Sequence, residues 1–559
     1  MKRAKSLIAL VLALVMCVAL FGCGSKSTTG TNTGDTATGG TLNIHIETGV
    51  ESMDPQEATD GTSFEVIADI TDGLMQMDAN GSPVAAMAES YEVSEDGLTY
   101  TFHIRQGVKW SSTGNPVTAK DFVFGWQRAV DPAVASEYSY MLSDIGQVKN
   151  AADIIAGKMD KSELGITAKD DNTLVVELNA PVSYFLSLMY FPTFYPIEQS
   201  FYDSCGDTFA TSPETLQSNG AFVMTSYEPS ATSFTLVKNE NYWDAGRVKL
   251  AGLNYQLIQD SQQALLSYQT GDLDTIILSG DQVDQVKDDP EFVAVNAGYL
   301  WYLSPNISAV PDLANLNLRM AMSLAIDRKT MVESVVKDGS AAATFAVPDQ
   351  LATGPDGQDF RATAKDYTAD ETCTFDATKA QEYLAKAEKE LGKTSFTFEM
   401  IVDDDDQPKQ VATYLQQQIQ SVLPDVTITL RTEPKKQRVK DMQDGTYELG
   451  LTRWGPDYAD PMTYLGMWKT GNSNNYGLWS NSDYDALLDE STTGKLAGDA
   501  AGRWTALHQA EEIVMANAVI IPLYEKCNAT MIKSSVTNIE FHPIALNRVY
   551  KDAVKAAAK

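Results

Sequence analysis

Hydrophobic positions along this 559-residue chain follow two different periods. Alternation or enrichment in β-branched residues predicts strands at residues 98–105, 173–178, 233–237 and 426–430. Apolar residues at helical spacing predict helices at residues 318–336, 377–391, 410–422 and 501–516. Because strands and helices alternate, the pattern indicates an α/β protein with mixed sheets. A chain of this length is expected to fold into two or three lobes.

One stretch near the N-terminus predicts a β-hairpin. Glu95, Asp96 and Gly97 supply a tight turn, and the strand after it is apolar at every second residue. These apolar residues are Leu98, Tyr100, Phe102 and Ile104. We therefore interpret this stretch as structural and assign no ligand chemistry to it.

The first residues of the chain have the pattern of an export signal. Lys2, Arg3 and Lys5 precede an apolar run over residues 7–20. Those 14 residues are too few to cross a hydrocarbon core of about 30 Å. The sequence Leu-Phe-Gly-Cys at 20–23 resembles a bacterial lipobox, which implies a signal peptide at 1–22 and lipid attachment at Cys23. The alternative is an ordinary secretory signal followed by an incidental cysteine.

The segment after Cys23 predicts a flexible linker over residues 23–40. From Gly24 to Gly40 it contains no aliphatic residue larger than alanine, so it cannot bury enough apolar area to fold. Such a coil has an end-to-end distance of about 20 to 25 Å. The functional part of the chain is therefore expected after Gly40.

The charge of the chain argues against binding to nucleic acid. The formal net charge is −33, and it becomes −36 when residues 1–22, with three basic and no acidic side chains, are removed. This field repels phosphate backbones and anionic lipid surfaces. The four aspartates at 403–406 lack the spacing of a calcium loop, so we expect a solvated loop there.

No motif for catalysis, metal binding or a cofactor is evident. Cys205, Cys373 and Cys527 are far apart, and the four histidines form no HExxH motif. A nucleophile elbow, a Walker loop and a dinucleotide-binding fingerprint are also missing from the sequence. The sequence therefore favours a protein that is not an enzyme and uses no cofactor or metal.

Several ordered blocks of sequence resemble one known family. They lie at residues 70–74, 87–110, 116–122, 219–222, 239–243, 318–328, 454–461 and 484–488, within a match that covers about 42–544. These blocks are similar to extracytoplasmic solute-binding protein family 5, the oligopeptide- and dipeptide-binding lipoproteins of ABC transporters. The resemblance implies an α/β, bilobed periplasmic-binding-protein-like type II (cluster C) fold with an additional lobe.

The resemblance also implies the extents of the lobes. Lobe I would combine residues 41–60, 176–298 and 525–559; lobe II, the additional lobe, would be 61–175; lobe III would be 299–524. The two crossings between lobes I and III, near 298–302 and 522–524, would then form a hinge. Ligand would be bound between the lobes.

The strongest candidate for ligand binding is the segment 453–461. It resembles the family's W-x-x-D-[YF]-x-[DE]-P motif, in which the aspartate holds the α-ammonium of a peptide and the preceding backbone pairs with it. The resemblance implies that Asp457 is the aspartate that anchors the peptide ammonium in this chain. Arg453, Trp454, Gly455 and Tyr458 surround it in the sequence. The alternative interpretation from the residues alone is an aspartate that caps the next helix from a Gly-Pro turn.

Weaker candidates lie outside that motif. Asn474 offers an amide in a loop soon after the expected anchor, and by resemblance Glu51 lies in a segment that contacts peptide backbone. Tyr302 lies at the expected hinge, and Tyr138 and Tyr524 fall in segments that reach the cleft in relatives. Aromatic residues are also commonly buried for packing alone.

These observations predict a lipid-anchored monomer on the extracytoplasmic face of the membrane. It would capture short peptides and deliver them to the permease and ATPase subunits of an ABC importer. The alternatives are a binder of another solute, such as a nickel chelate, haem or opine, and a receptor that senses peptide pheromones. Gly455 departs from the family, because binders of long peptides often have cysteine there, so the preferred peptide length stays open.

Overall fold

The computed structural model describes residues 39–365, 373–544 and 546–556, and at Asp281 it describes the backbone alone. The predicted signal peptide 1–22, Cys23 and the linker as far as residue 38 lie outside the described residues.

Strands and helices alternate along the described chain. The strands are β1 Thr41–Ile46, β2 Met75–Met77, β3 Pro83–Ala85, β4 Ala88–Val93, β5 Thr99–Ile104, β6 Ile166–Ala168, β7 Thr173–Glu177, β8 Phe222–Ser226, β9 Ser233–Lys238, β10 Gly252–Leu257, β11 Thr275–Leu278, β12 Phe292–Pro305, β13 Ala341–Ala342, β14 Phe396–Asp403, β15 Val426–Glu433, β16 Leu449–Trp454, β17 Ile521–Ile532, β18 Val536–Thr537, β19 Glu540–Phe541, β20 Arg548–Val549 and β21 Val554–Lys555.

The helices pack on the faces of these sheets. The α-helices are Gly61–Ile70, Ala119–Val130, Ala151–Ile155, Phe185–Leu188, Gln199–Cys205, Ser261–Thr270, Asp281–Val286, Leu316–Leu324, Arg328–Met331, Phe360–Thr363, Ala377–Leu391, Asp406–Val422, Lys435–Gln443, Met462–Leu465, Ser482–Thr492 and Ala500–Ala516. Short 3₁₀ turns span Lys161–Glu163, Pro192–Phe194, Gly206–Thr208, Pro213–Thr215, Pro311–Ala314 and Gly466–Trp468, and π turns span Met141–Ile145 and Val332–Val336.

The predicted hairpin is confirmed as β4 and β5. The two strands are antiparallel, and Gly97 turns between them with φ +70°, a conformation that glycine adopts without steric cost. On β5, Tyr100, Phe102 and Ile104 are buried, as the alternation predicted. This hairpin belongs to a four-stranded sheet in the order β4-β5-β7-β6.

The prediction of one continuous helix over 318–336 is wrong, because the helix is broken. The structure has one helix at Leu316–Leu324, a second at Arg328–Met331 and a π turn after it. The side chain of Asp327 accepts a hydrogen bond from Thr330 N at 3.0 Å and so caps the second helix. The buried guanidinium of Arg328 donates to the carbonyls of Pro522 and Cys373, which fixes the break.

One large sheet runs through the main body of the protein. Its strand order is β15-β14-β16-β12-β17-β11-β1-β10-β9-β8, with β13 paired to β17 off this path. The long strands β12 and β17 lie at its centre and separate the group β14 to β16 from the group β1 and β8 to β11. The lobe boundaries given above stay a prediction.

Strand β12 is interrupted by a bulge halfway along its length. Asn296 pairs with Cys527 and Leu300 with Glu525, so three residues of β12 stand opposite one residue of β17. Gly298, in the middle of this bulge, has φ +76°. A Cβ atom there would lie 1.9 Å from the carbonyl oxygen of Pro543, so no larger residue fits without a shift.

The C-terminal segment is fastened to the start of the described chain by buried ion pairs. Arg548 lies 2.8 Å from Glu65, and Lys551 lies 2.7 Å from Asp72. The partners Glu65 and Asp72 belong to the helix Gly61–Ile70 and the residues just after it. These contacts hold the chain around Asn547 beside the cavity described next.

Candidate functional site

A cavity of about 450 Å³ lies beside the end of β16. It is bounded by β16 and the turn after it, the helix Lys435–Gln443, the bulge of β12 and the start of the helix Gly61–Ile70. An aromatic cluster of Phe64, Tyr138, Tyr140 and Phe191 also contributes to its wall. The cavity therefore combines an apolar wall with a strand end.

The backbone of β16 has an unpaired edge at this cavity. On one side β16 pairs with β12 along its whole length, as far as Trp454 opposite Leu300. On the other side it pairs with β14 only at Leu449 and Gly450, so from Leu451 onward that edge has no strand partner among the described residues. Unpaired N–H and C=O groups at a sheet edge can accept an added strand.

Asp457 lies just beyond this edge, after Gly455 and Pro456. Its carboxylate accepts a hydrogen bond from the hydroxyl of Tyr140 at 3.1 Å, and its backbone N–H donates to Thr463 Oγ1 at 3.2 Å. Burial raises the pKa of the Asp457 carboxyl to about 6, although the hydrogen bond from Tyr140 lowers the pKa. No cation lies within ion-pair distance of this carboxylate in the described ranges.

The turn after β16 contains a second aspartate, Asp460, whose contacts are structural. Asp460 accepts from Met462 N at 2.9 Å, and it forms a buried pair with Arg503 through two bonds of 2.7 Å. The first backbone N–H of the next helix, at Met462, is thus bound by Asp460 and not by Asp457, for which capping was the alternative interpretation. Asp457 is left with its carboxylate facing the cavity.

Basic side chains gather along the unpaired edge of β16. Arg438 donates to Asp403 at 2.9 and 3.3 Å and to Thr452 Oγ1 at 2.6 Å. Arg453 lies 3.9 Å from the same carboxylate of Asp403, and Lys435 also lines the cavity. Asp403 is 1% exposed at the end of β14, and Asp406 begins the helix Asp406–Val422, so the predicted solvated loop over 403–406 is wrong at its first and last residues.

Five predicted site residues line this cavity with Asp457, namely Tyr138, Arg453, Trp454, Gly455 and Asn474. Gly455 is closely covered, because a Cβ there would meet the ring of Tyr299 at 2.5 Å. Tyr299 in turn projects from the bulge of β12 and is 40% exposed. Any side chain at this position, including the cysteine that the resemblance led us to consider, would therefore require the ring of Tyr299 to move.

The remaining predicted residues do not line the cavity. Tyr458 is buried and stacks on Tyr184 with ring centroids 4.8 Å apart. Tyr524 is buried against Trp301, and Tyr302 is buried near Trp468. Glu51 is exposed, and its backbone N–H donates to Ser63 Oγ at 3.0 Å. These aromatic residues were chosen by position, which cannot distinguish a packed ring from one that faces a cleft.

The structure adds Lys435 and Arg438, which the sequence did not single out, to Tyr140 and Tyr299, which the sequence offered as weaker candidates near the cleft and the expected hinge. Tyr140 reaches Asp457, Tyr299 covers Gly455, and Lys435 and Arg438 border the edge of β16. Lys435 and Arg438 share one helix, but their separation in sequence is typical of any solvated helix face. The hydrogen bond from Arg438 to Asp403, at the end of β14, holds this helix face beside the cavity.

Comparison with known proteins identifies the family. The model of "Bacterial extracellular solute-binding proteins, family 5 Middle" matches residues 82–476. The chain belongs to this family. A dipeptide-binding protein of Lactococcus lactis is 33% identical over 567 residues, which is 99% of this chain and all of that protein.

Solved structures of relatives share the fold of this family member. The substrate-binding domain of an oligopeptide ABC transporter from Bacillus anthracis is 35% identical, with a TM-score of 0.75 over 92% of this chain and 99% of that one. OppA of Listeria monocytogenes bound to peptide is 33% identical, with a TM-score of 0.74 over 93% of this chain and all of that one. The expected periplasmic-binding-protein-like type II fold is thereby confirmed.

Proposed function

We propose that this protein is a receptor that captures short peptides outside the cytoplasm and delivers them to the permease and ATPase subunits of an ABC importer. The observation that carries the proposal is the carboxylate of Asp457 at the end of an unpaired strand edge inside a cavity. Every unmodified peptide offers the two complementary features, a cationic amino terminus and a backbone that can pair as a strand.

The recognition is expected to depend on backbone rather than on side chains. The ammonium group of the peptide would replace solvent at Asp457, and the peptide backbone would add to β16 beyond Gly450. The aromatic cluster and bound water would accept varied side chains with little selection. The named relatives support this proposal, since they are a dipeptide-binding protein and a peptide-bound OppA.

We also propose that Cys23 carries a lipid that holds the mature protein at the membrane. The basic residues, the short apolar run and the Leu-Phe-Gly-Cys sequence support this proposal. Among the described residues, no helix has both the length and the apolar character needed to span a membrane. The segment 23–40 would give the receptor reach from its anchor.

Calorimetry with trialanine and N-acetyl-trialanine tests the peptide proposal. Trialanine has little side chain to select, so its binding reports recognition of the backbone and the termini. The protein should bind trialanine and should bind the acetylated form much more weakly, because acetylation removes the ammonium group. Equal binding of the two ligands, or binding of neither, would contradict the proposal.

A further inference from the structure

The turn after β16 is contacted by side chains from a distant part of the chain. The hydroxyl of Tyr140 donates to the carboxylate of Asp457 at 3.1 Å, across a separation of 317 residues. Beside it, the ring of Tyr184 stacks on that of Tyr458, with centroids 4.8 Å apart and an angle of 24° between the ring planes. Two adjacent residues of the turn are therefore held by tyrosines from the segments that follow β5 and β7.

Tyr184 also contacts the buried ion pair of the same turn. The guanidinium carbon of Arg503 lies 5.3 Å from the centroid of the Tyr184 ring, which is within the range of a cation–π contact. Arg503 donates to both carboxylate oxygens of Asp460 at 2.7 Å and to the carbonyl of Ser491 at 3.0 Å, so its guanidinium is fixed in place. One ring thus contacts both Tyr458 and the cation that binds Asp460.

The direction of the Asp457 carboxylate depends on where this turn lies. The local hydrogen bond to Asp457 runs from its backbone N–H to Thr463 Oγ1 at 3.2 Å, so it fixes the backbone and not the carboxylate. Charge-assisted hydrogen bonds weaken when they are lengthened or bent, and a binding group must be held to within about 0.5 Å of its productive position. A side chain that holds the turn can therefore affect binding of an ammonium group without touching the ligand.

Tyr184 lies outside the cavity that Asp457 lines. It lines a second cavity of about 540 Å³ together with the turn residues Ala459 and Asp460. The side chain of Tyr184 is only partly buried, so a smaller residue there would open onto this second cavity instead of leaving a sealed void in the core. Loss of the ring should therefore act mainly on the turn.

We propose that Tyr184 is a positioning residue for Asp457, whose ring holds the turn after β16 in the orientation in which the carboxylate receives the ammonium group of a peptide. The inference rests on the proposed function and assigns part of its selectivity for a free amino terminus to a side chain outside the ligand cavity. The hydroxyl of Tyr184 donates to the carbonyl of Ile145 at 3.4 Å, near the limit of a hydrogen bond. The ring is therefore expected to carry most of the effect.

Calorimetry with trialanine and N-acetyl-trialanine tests this inference. Tyr184→Leu keeps an apolar side chain and removes the ring, so it should weaken binding of trialanine by about 10-fold. The acetylated ligand does not use the carboxylate of Asp457, so its affinity should change by less than about 2-fold. Tyr184→Phe keeps the ring and should restore the wild-type preference for the free amine. In an Asp457→Asn background, Tyr184→Leu should have little further effect on trialanine, because the group that it positions is already lost.

Two further variants complete the experiment. Tyr458→Leu removes the other ring of the stack and should lower the preference for the free amine by a similar factor, so it also serves if Tyr184→Leu is too unstable to measure. Tyr91→Leu is the matched control, because Tyr91 is 41% exposed on β4 and lines neither cavity, and it should bind both ligands as wild type does.

The preference for trialanine over its acetylated form decides the outcome. An unchanged preference in Tyr184→Leu, whether or not both affinities fall, would overturn the inference, and so would a loss of preference in Tyr184→Phe equal to that in Tyr184→Leu. If wild-type protein shows no preference for trialanine, the proposed function fails and the inference fails with it.

Discussion

At the scale of residues, the carboxylate of Asp457 is the group on which peptide recognition should depend most. Asp457→Asn keeps the shape of the side chain and removes its charge. Loss of one partner from a buried, hydrogen-bonded charge pair costs about 2 to 5 kcal/mol, so affinity for trialanine should fall by about 30-fold to several thousand-fold. Calorimetry of both proteins with trialanine and N-acetyl-trialanine would isolate the contribution of the pair.

Folding should be preserved in this variant. Because folding raises the pKa of the Asp457 carboxyl, its ionised form opposes folding at neutral pH, and asparagine removes that cost. The thermal midpoint of ligand-free Asp457→Asn should therefore equal or exceed that of wild type. An unchanged affinity for trialanine in this variant would show that Asp457 does not hold the ligand.

The pH dependence of binding provides a second prediction at this scale. Below the pKa of about 6 the Asp457 carboxyl of the free protein becomes protonated, so affinity should fall by up to about 10-fold per pH unit. Above about pH 8 the peptide amine loses its proton, and affinity should fall again. Calorimetry from pH 5 to 9 should give a maximum near pH 7, and the acidic limb should be absent in Asp457→Asn.

Much of the cavity wall around Asp457 could be predicted from the sequence, whereas the helix Lys435–Gln443 that borders it could not. The motif around Asp457 predicted Arg453, Trp454 and Gly455 at the same cavity, and the structure brings them together. Lys435 had no such signal, because a lysine at the start of a polar helix is ordinary. Its place at the cavity depends on how that helix packs against β14 and β16, which is set by contacts distant in sequence such as Arg438 with Asp403.

At the scale of elements, local patterns predicted strands better than they predicted helix breaks. All but the last residue of 173–178 fall in β7, and all of 426–430 fall in β15, because β-branched residues fit a half-buried pleated surface. The spacing of apolar residues alone predicted one continuous helix over 318–336, through Asp327. The break depends on a cap at Asp327 and on carbonyl partners of Arg328 that lie up to 194 residues away, which no local pattern contains.

The bulge of β12 provides a stability prediction. Gly298→Ala forces an alanine to a φ of +76° and places its Cβ 1.9 Å from the carbonyl oxygen of Pro543. The free energy of unfolding should decrease by about 2 kcal/mol or more. Urea denaturation followed by tryptophan fluorescence would measure the change.

Another glycine serves as the control for this substitution. Gly246 has no atom within 4 Å of an added Cβ and is not among the glycines with positive φ, so Gly246→Ala should change the free energy of unfolding by less than about 0.5 kcal/mol. Equal effects of the two substitutions would show that the close approach at Gly298 carries no energetic cost.

At the scale of the whole molecule, ligand binding should draw the walls of the cavity together. Alternate amides of residues 451–454 lie on the unpaired side of β16, so an added peptide strand should slow their hydrogen exchange. Those of Glu51 and Ser52 already donate to Ser63 Oγ and should change less. Exchange mass spectrometry with and without saturating trialanine would test this, and uniform protection across the protein would contradict strand addition at β16.

The proposed lipid attachment at Cys23 can also be tested at the scale of the whole molecule. Cys23→Ser removes the only thiol that the lipobox resemblance assigns to a lipid, so the mature body should leave the membrane fraction or remain as an unprocessed precursor. Cell fractionation with wild type as reference would measure the distribution. A serine variant that stays membrane-bound and correctly cleaved would contradict lipid attachment at this residue.

The central position of β17 has a consequence for the time at which the protein can fold. This strand ends at Ile532, close to the end of the chain, yet it lies between β12 and β11 and connects the two halves of the largest sheet. Until it arrives, each neighbouring strand lacks a partner on one of its two edges, and contacts of such large sequence separation form slowly. If the chain is exported from its N-terminus, as proposed above, we therefore expect the core of this sheet to be completed only after β17 has crossed the membrane.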